Sequence, residues 1–502
     1  MLPVDGTPMI SHVVNMFSTT DYFYFILNSE QVKDYPDLPD QLRTLRKRVS
    51  IVVIPPHEHG PVWSALQVKD IPPEEPIIVS YCDFFVRWNY SKFLREADGY
   101  DAAIPAFRNF HPASFGKTYY AYMRANQTND MLELREKSNF TAERHKEPAS
   151  AGIYYFRSQA LFQHYAERLM QAGHYDGLKE GYVSLLANPM VRDGLKVRVT
   201  EVEKFICLGT PEDYEQYTFW SAYFRTSITT SAPTQNQINL IPMAGKGSRF
   251  KQFGYRVGKP LIQVRGKPMI VAACESFPQT TQWIFLPREE DLQKHPLAPA
   301  LKRFQPECII IPVDHETSGQ AATCLLAAPH LKTDASLFIA SCDYETRFSA
   351  AAWKTIIEDP SIDGAIWTIR LGGMLAKNPT AFAYCVTAAD GNTVERVVEK
   401  STISEHPECD PLVVGSFWFR RTEDFMFAAR TAIEKNYNVN GEHYVGNSIN
   451  LLIERGRKFV IFDIEQWISY GDPFELEVYQ YWEEFFATHA QPSDNVAAIG
   501  MI

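Results

Sequence analysis

The chain has 502 residues, 45% hydrophobic and 22% charged, with a formal net charge of −11. That length exceeds one ordinary core, so two or more domains are expected, and the balance is that of a soluble globular protein. A net negative chain lacks the basic face that coats nucleic acid, and neither a signal-peptide pattern nor a long apolar span is seen, so neither nucleic acid nor membrane is an expected partner.

Read from its start, the chain repeats itself. VDGTPMI at residues 4–10 returns as VRGKPMI at 264–270, and HGPVWSAL at 59–66 falls opposite SGQAATCL at 318–325. IIVSYCDFF at 77–85 falls opposite LFIASCDYE at 337–345, LREKS at 134–138 opposite VVEKS at 397–401, and AGIYYFR at 151–157 opposite VGSFWFR at 414–420. FICLGTPEDYEQY at 205–217 matches WISYGDPFELEVY at 467–479. The order is kept and the offset stays near 260. Two copies of one domain are therefore expected: residues 1–224, a polar Ser/Thr/Pro/Gln linker at 225–237, residues 238–490, and a tail at 491–502.

Within the second copy, short apolar runs mark strands at 238–241, 283–286, 308–311, 337–340 and 365–369. Helical stretches lie between them, as at 269–276 and 319–328, and amphipathic helices close the copies at 211–224 and 473–486. Strands alternating with helices predict an α/β fold, a mainly parallel mixed sheet covered by helices on both faces. In such sheets ligands sit at the carboxyl ends of strands. The clustered aromatics Tyr119, Tyr120 and Tyr122, and Trp418 with Phe419, are expected in strands and core. The eight cysteines form no C-x-x-C pair, so neither a zinc site nor a disulfide framework is indicated, and reduced thiols in a cytoplasmic protein are expected.

Directly after the strand at 238–241 comes PMAGKGSRFKQFGYRVGKPLIQVRGKPMI. Gly245 and Gly247 let backbone N–H groups approach a phosphate closely, and successive N–H groups form an anion-binding concavity. Arg249 adds a planar fork for phosphate oxygens and Lys259 a point charge. A glycine pair alone marks only a turn.

The whole string resembles the signature of the sugar-phosphate nucleotidyltransferases. The likeness continues through Asp343, Glu399-Lys400, the GSFWF strand and the YGDPFEL ending, and is nearest the branch tied to capsule and lipopolysaccharide synthesis, which includes phosphocholine cytidylyltransferases. The resemblance implies two tandem Rossmann-like (GT-A-like) domains. It implies a nucleoside triphosphate joined to a sugar 1-phosphate or similar phosphomonoester, with release of pyrophosphate, to give an activated sugar or headgroup for cell-surface polysaccharide. It places the nucleotide on Ala244, Gly245, Lys246, Gly247, Ser248, Gly319 and Gln320, and catalysis on Arg249 and Lys259. It gives Mg²⁺ to Asp343 and the acceptor to Glu399, Lys400 and Gly415. Two positions depart from the family pattern. Ser469, with Cys207 in the first copy, stands where the family often has a second metal aspartate, leaving Asp343 alone or Asp463 or Glu465 as substitutes. Gly258 stands where proline is common.

The first copy aligns from a point near Pro260, so everything equivalent to residues 238–259 is missing, while Asp83, Glu136, Lys137 and Gly152 remain. Losing a central strand would leave its two neighbours with unpaired backbone groups. A start inside a longer reading frame, a decayed scaffold with a rearranged sheet, and another segment filling the gap all account for this. In each case the first copy, as it stands, is not expected to transfer nucleotides. Two other readings of the whole chain are an inactive nucleotide-sugar-binding regulatory or scaffold protein, which Ser469 favours, and a glycosyltransferase, for which Asp343-Tyr344-Glu345 imitates a D-x-D pair.

Overall fold

The computed structural model describes residues 2–173, 175, 177–226, 233–371 and 378–487. Residues 227–232 of the expected linker and all of the expected tail lie outside these residues. The chain divides into two compact units, Met1–Ser221 and Ala222–Ile502.

In unit 1 the strands that concern us are β1 (Phe23–Asn28), β2 (Val49–Ile54), β3 (Ile77–Ser80), β4 (Ala102–Phe107), β5 (Ile153–Phe156) and β6 (Val197–Glu201). Strand β3 pairs antiparallel with β5, β5 antiparallel with β4, and β4 parallel with β6. The pair β1–β2 is parallel and forms a separate two-stranded sheet. Helix α1 (Pro211–Arg225), one residue longer than expected, runs from unit 1 across the boundary at Ser221.

In unit 2 the corresponding strands are β7 (Gln237–Met243), β8 (Gln282–Pro287), β9 (Ile309–Ile310), β10 (Ser336–Ile339), β11 (Gly364–Ile369), β12 (Leu412–Phe419) and β13 (Phe459–Asp463). Their order is β9-β8-β7-β10-β12-β11-β13, part of one nine-stranded sheet. β7 is central, parallel to β8 on one side and β10 on the other. It begins at Gln237, inside the segment expected to be linker.

Alternation along these strands explains how both faces are buried. Ile238, Leu240, Ile284, Leu286, Leu337 and Ile339 enter one apolar cluster; Ile241, Trp283, Phe285 and Phe338 enter the other. Strands buried on both faces carry near-continuous apolar sequence. The buried polar side chains of β7 donate internally, Gln237 Nε2 to Asn239 Oδ1 at 2.8 Å and Asn239 Nδ2 to the Pro278 carbonyl at 2.8 Å, while Gln237 Oε1 has no partner. Tyr119 departs from expectation. It is 46% exposed, with the Arg144 guanidinium stacked on its ring, whereas Tyr122, Trp418 and Phe419 are buried.

The two units share register wherever both have strands. Ile77 pairs Phe156 as Leu337 pairs Phe419, and Val197 pairs Ala102 as Phe459 pairs Gly364. Cys207 pairs Phe84 as Ser469 pairs Tyr344. They differ at one place: among the described residues, unit 1 has no strand joining β1 to β3 in the way that β7 joins β8 to β10.

Candidate active site

Strand β7 ends at Met243, and the chain turns through Ala244–Gly247 into helix α2 (Ser248–Gln252). Gly247 sits at φ +60°, the left-handed region that favours glycine. A Cβ on Gly245 would meet nothing within 4 Å, so packing within the protein gives no reason for glycine there. The loop opens onto a cavity of about 370 Å³ lined by Gly245, Lys246, Gly247, Ser248, Arg249, Lys259 and Asp343, together with Ser341, Cys342 and Gly471. Seven of the thirteen residues expected to act thus line one cavity. Ala244, Gly319, Gln320, Glu399, Lys400 and Gly415 are not among its lining residues; Ala244 packs against the apolar cluster.

Lys259 is the centre of this cavity. Its Nζ donates to Asp343 Oδ2 at 2.6 Å and to the Gly471 carbonyl at 3.1 Å, with side-chain exposures of 18% for the lysine and 26% for the aspartate. Burial is the largest single influence and lowers the lysine pKa, but the Asp343 charge and hydrogen bond together with Cys342 outweigh it, and the net shift is upward. Lys259 is therefore held as an ammonium ion, a fixed positive charge in a partly dry pocket, where such a charge acts more strongly than in water. Asp343 is fixed in turn by its carbonyl, which accepts from Tyr470 N–H at 2.8 Å. The strand that follows it, Tyr344–Arg347, pairs antiparallel with Gln466–Ser469.

Arg249 is 70% exposed and stands 3.8 Å from Asp472. Lys246 pairs with Glu316 at 2.8 Å, both well exposed, so that contact contributes little. Both cations are loosely held, as suits groups that would engage a mobile anion.

The closing segment explains Ser469. Its hydroxyl donates to Glu475 Oε2 at 2.6 Å and accepts from Gly471 N–H at 3.1 Å. Glu475 also accepts from Asp472 N–H at 3.2 Å, while Asp472 accepts from Glu475 N–H at 3.0 Å. This is a reciprocal capping box at the start of helix α3 (Pro473–Ala487), with proline at the first helical position. Cys207 donates its thiol hydrogen to Asp213 at 3.2 Å, the same relation in unit 1. The carboxylate beside the closing glycine therefore comes from six residues further on, and burial raises the pKa of Glu475. Asp-Pro-Phe-Glu at 472–475 is a legible capping pattern that the motif reading passed over. Asp463 does not replace it: it accepts from Thr368 and Arg370 and does not line the cavity, nor does Glu465.

The remaining expected residues have local tasks. Gly319 lies at φ +130°, and a Cβ there would come within 2.5 Å of His443 N; its glycine is required by that close backbone approach. Gln320 opens the short helix Gln320–Leu325 behind it. Lys400 has φ +56° and donates its backbone N–H to the Phe382 carbonyl at 2.8 Å and its Nζ to the Ala381 carbonyl. Burial pushes the Glu399 carboxyl up to about 7, against the opposing pull of Lys400. Gly446 packs against this carboxyl: a Cβ there would sit 2.6 Å from Glu399 Oε1 and push the side chain aside. Gly415 lies at φ +93° against the Tyr344 ring.

In unit 1 the counterparts Asp83, Glu136, Lys137, Gly152, Cys207 and Gly209 all line one cavity of about 270 Å³. Lys137 has φ +53° and donates Nζ to Tyr182 Oη at 2.5 Å.

No family model matches the sequence, and no curated protein matches it. Among solved structures the chain is similar to a nucleoside-diphosphate-sugar pyrophosphorylase from Vibrio cholerae RC9, with 22% identity over 48% of this chain and 99% of that one, at a TM-score of 0.40. It is similar to the inositol-1-phosphate CTP transferase from T. maritima, with 12% identity over 54% of this chain and 100% of that one, at 0.39. A UDP-glucose pyrophosphorylase complexed with UDP-glucose gives 12% identity over 50% and 99%, also at 0.39. Among the described residues no helix is long and apolar enough to cross a membrane, all eight cysteines are free, and no group of three or more His, Cys, Asp or Glu is placed to hold a metal.

Proposed function

We propose that unit 2 is a nucleotidyltransferase, joining a nucleoside triphosphate to a sugar 1-phosphate or similar phosphomonoester in the cytoplasm, for cell-surface polysaccharide synthesis. The observation that carries this reading is the Lys259–Asp343 pair, 2.6 Å apart, facing the glycine loop across one cavity. An acceptor phosphate oxygen attacks the α-phosphorus in line; a new P–O bond forms, the bond to the β-phosphate oxygen breaks, and pyrophosphate leaves. A phosphate dianion is already a competent nucleophile, so the protein's task is positioning and charge neutralisation. The amides of Gly245–Ser248 and the Arg249 guanidinium hold the triphosphate, and Lys259 faces the charge that develops at the α-phosphate.

The residues fit one Mg²⁺. Asp343 presents a partly exposed carboxylate to the cavity, and magnesium is content with one or two protein carboxylates and substrate oxygens. Bound there, it would neutralise phosphate charge. Glu399, Lys400 and Gly415 are proposed for the acceptor, Gly319 and Gln320 for the base, and the two units are proposed as copies of one domain, the first without transfer activity.

The test is release of pyrophosphate by the full chain with Mg²⁺, each nucleoside triphosphate in turn and a pool of sugar 1-phosphates plus phosphocholine. Acceptor-dependent release that is lost in Asp343→Ala is expected. Nucleotide binding without release under any pairing would overturn transfer in favour of a sensing role.

A further inference from the structure

The Lys259 ammonium is held the way an oxygen site holds a cation. Asp343 Oδ2 at 2.6 Å and the Gly471 carbonyl at 3.1 Å converge on its Nζ, and the ring of buried Phe250 is 5.4 Å from it. A carboxylate and a main-chain carbonyl are also the donors that a hard divalent cation takes. The other acids nearby are committed elsewhere. Glu475 accepts from the Ser469 hydroxyl and from Asp472 N–H, and Asp472 accepts from Glu475 N–H and stands 3.8 Å from Arg249.

Charge decides when this seat can change hands. Lys246, Arg249 and Lys259 line the cavity against one carboxylate, Asp343. A divalent cation entering alone would meet an ammonium already paired with the oxygen it needs. Like charges at such range disfavour each other, and more so in a partly dry pocket than in water. Side-chain exposures of 18% for Lys259 and 26% for Asp343 leave solvent little access to screen them. A triphosphate changes the balance. Its oxygens offer the ammonium another partner, and its charge lets both cations stay.

We propose that Asp343 Oδ2 and the Gly471 carbonyl form the cation seat of unit 2, and that Lys259 keeps it filled until a triphosphate draws the ammonium off, so that metal and nucleotide load together. The main-chain oxygen at 471 then supplies the ligand that Ser469 does not. Because lysine and metal compete for one seat, triphosphate and metal each raise the affinity for the other. The role of the triphosphate rests on the transferase reading; the seat itself is tested without turnover.

The probe is Mn²⁺, followed by electron paramagnetic resonance of the free ion with the full chain and no nucleotide. The native chain should bind it weakly. Lys259→Met, which keeps the stem and removes the charge, should bind at least about tenfold more tightly, as expected when a like charge leaves the seat. Lys259→Gln should do the same. The gain should vanish when Lys259→Met is combined with Asp343→Asn. Mn²⁺ should raise the melting temperature of Lys259→Met and leave that of the native chain in place. Adding inorganic tripolyphosphate, with its own chelation subtracted, should raise Mn²⁺ binding by the native chain. Equal Mn²⁺ binding by the native chain and both Lys259 variants, or a gain that survives Asp343→Asn, would overturn the seat. No rise with tripolyphosphate would overturn the coupling. A Mn²⁺ gain at Asp343 in a chain that releases no pyrophosphate under any pairing would uphold the seat and count against the transferase reading alone.

Discussion

Two regions of this molecule share a register and, among the described residues, differ by one strand, the one that carries the glycine loop. In unit 2, β7 joins the sheet halves and delivers the glycine loop and Lys259 to Asp343. In unit 1 the sheet falls into two pieces, yet the acid, the Glu-Lys pair and the closing glycine stay around one cavity. The residues around that cavity therefore keep their places without a strand between β1 and β3 among the described residues. Arg157–Asp101, Tyr182–Lys137 and the β3–β5–β4–β6 ladder hold it. The glycine loop of unit 2 has no such independence, because it is the continuation of the strand itself.

The comparison breaks most visibly in turnover. Lys259→Met and Asp343→Asn should each lower pyrophosphate release by about a hundredfold or more, the cost of removing a group aimed at developing charge. Asp83→Asn should leave release unchanged. An equal loss in all three would mean that unit 1 takes part in the chemistry. Stability should treat the units alike at the glycine before each short helix. Gly60 and Gly319 both have positive φ, and a Cβ on either would sit within 2.7 Å of a backbone nitrogen. Alanine at either position should cost about 1–3 kcal/mol, measured by denaturant titration. Gly245→Ala should leave stability intact and lower turnover, since only a bound phosphate would crowd that position.

Much of this was legible in the residues. Strands buried on both faces announce themselves as apolar runs, and β7, β8, β10 and β11 fall within two residues of expectation at either end. The edge strand did not: 308–311 shrinks to Ile309–Ile310, because an edge pairs on one side and is trimmed by its neighbour. The loop, Lys259 and Asp343 were found from the motif, but no local pattern tells that a lysine and an aspartate 84 positions apart end within a hydrogen bond. The backbone of His443 accounts for the glycine at 319, a contact with no local signature. Tyr119 looked like core and is a surface ring under an arginine.

Acid titration sharpens the comparison further. Glu399 is held by burial with a carboxyl near 7, above its ordinary value of 4.5, and Glu136 is raised by burial too, though Ser184 donates to it. A carboxyl whose folded pKa is raised keeps its proton in the native state after the unfolded chain has lost it. Stability is then lost as pH rises from about 4.5 to about 7 and levels off above. Glu399→Gln should flatten that slope in a pH series of thermal melts, and Glu136→Gln should flatten it less because the Ser184 hydrogen bond already favours the charged form. A steeper slope in either variant would contradict the burial argument.

The smallest effect decides what Glu475 is for. As a capping residue it satisfies Asp472 N–H and the Ser469 hydroxyl at the head of α3, so Glu475→Ala should cost about 1 kcal/mol and leave turnover alone. Asp213→Ala should cost a similar amount, since Thr210 both accepts from and donates to Asp213 at the head of α1. Glu475 also borders Gly471, whose carbonyl holds Lys259, and stands near enough to Asp343 for that carboxylate to raise its pKa. A hundredfold fall in turnover with unchanged melting temperature would move it from capping to the metal, and would mean that the acid expected at position 469 has been relocated one helical turn inward. Equal, small losses of stability in the two units with turnover intact would make Asp343 the sole carboxylate for magnesium, and Ser469 and Cys207 two solutions to the same capping problem.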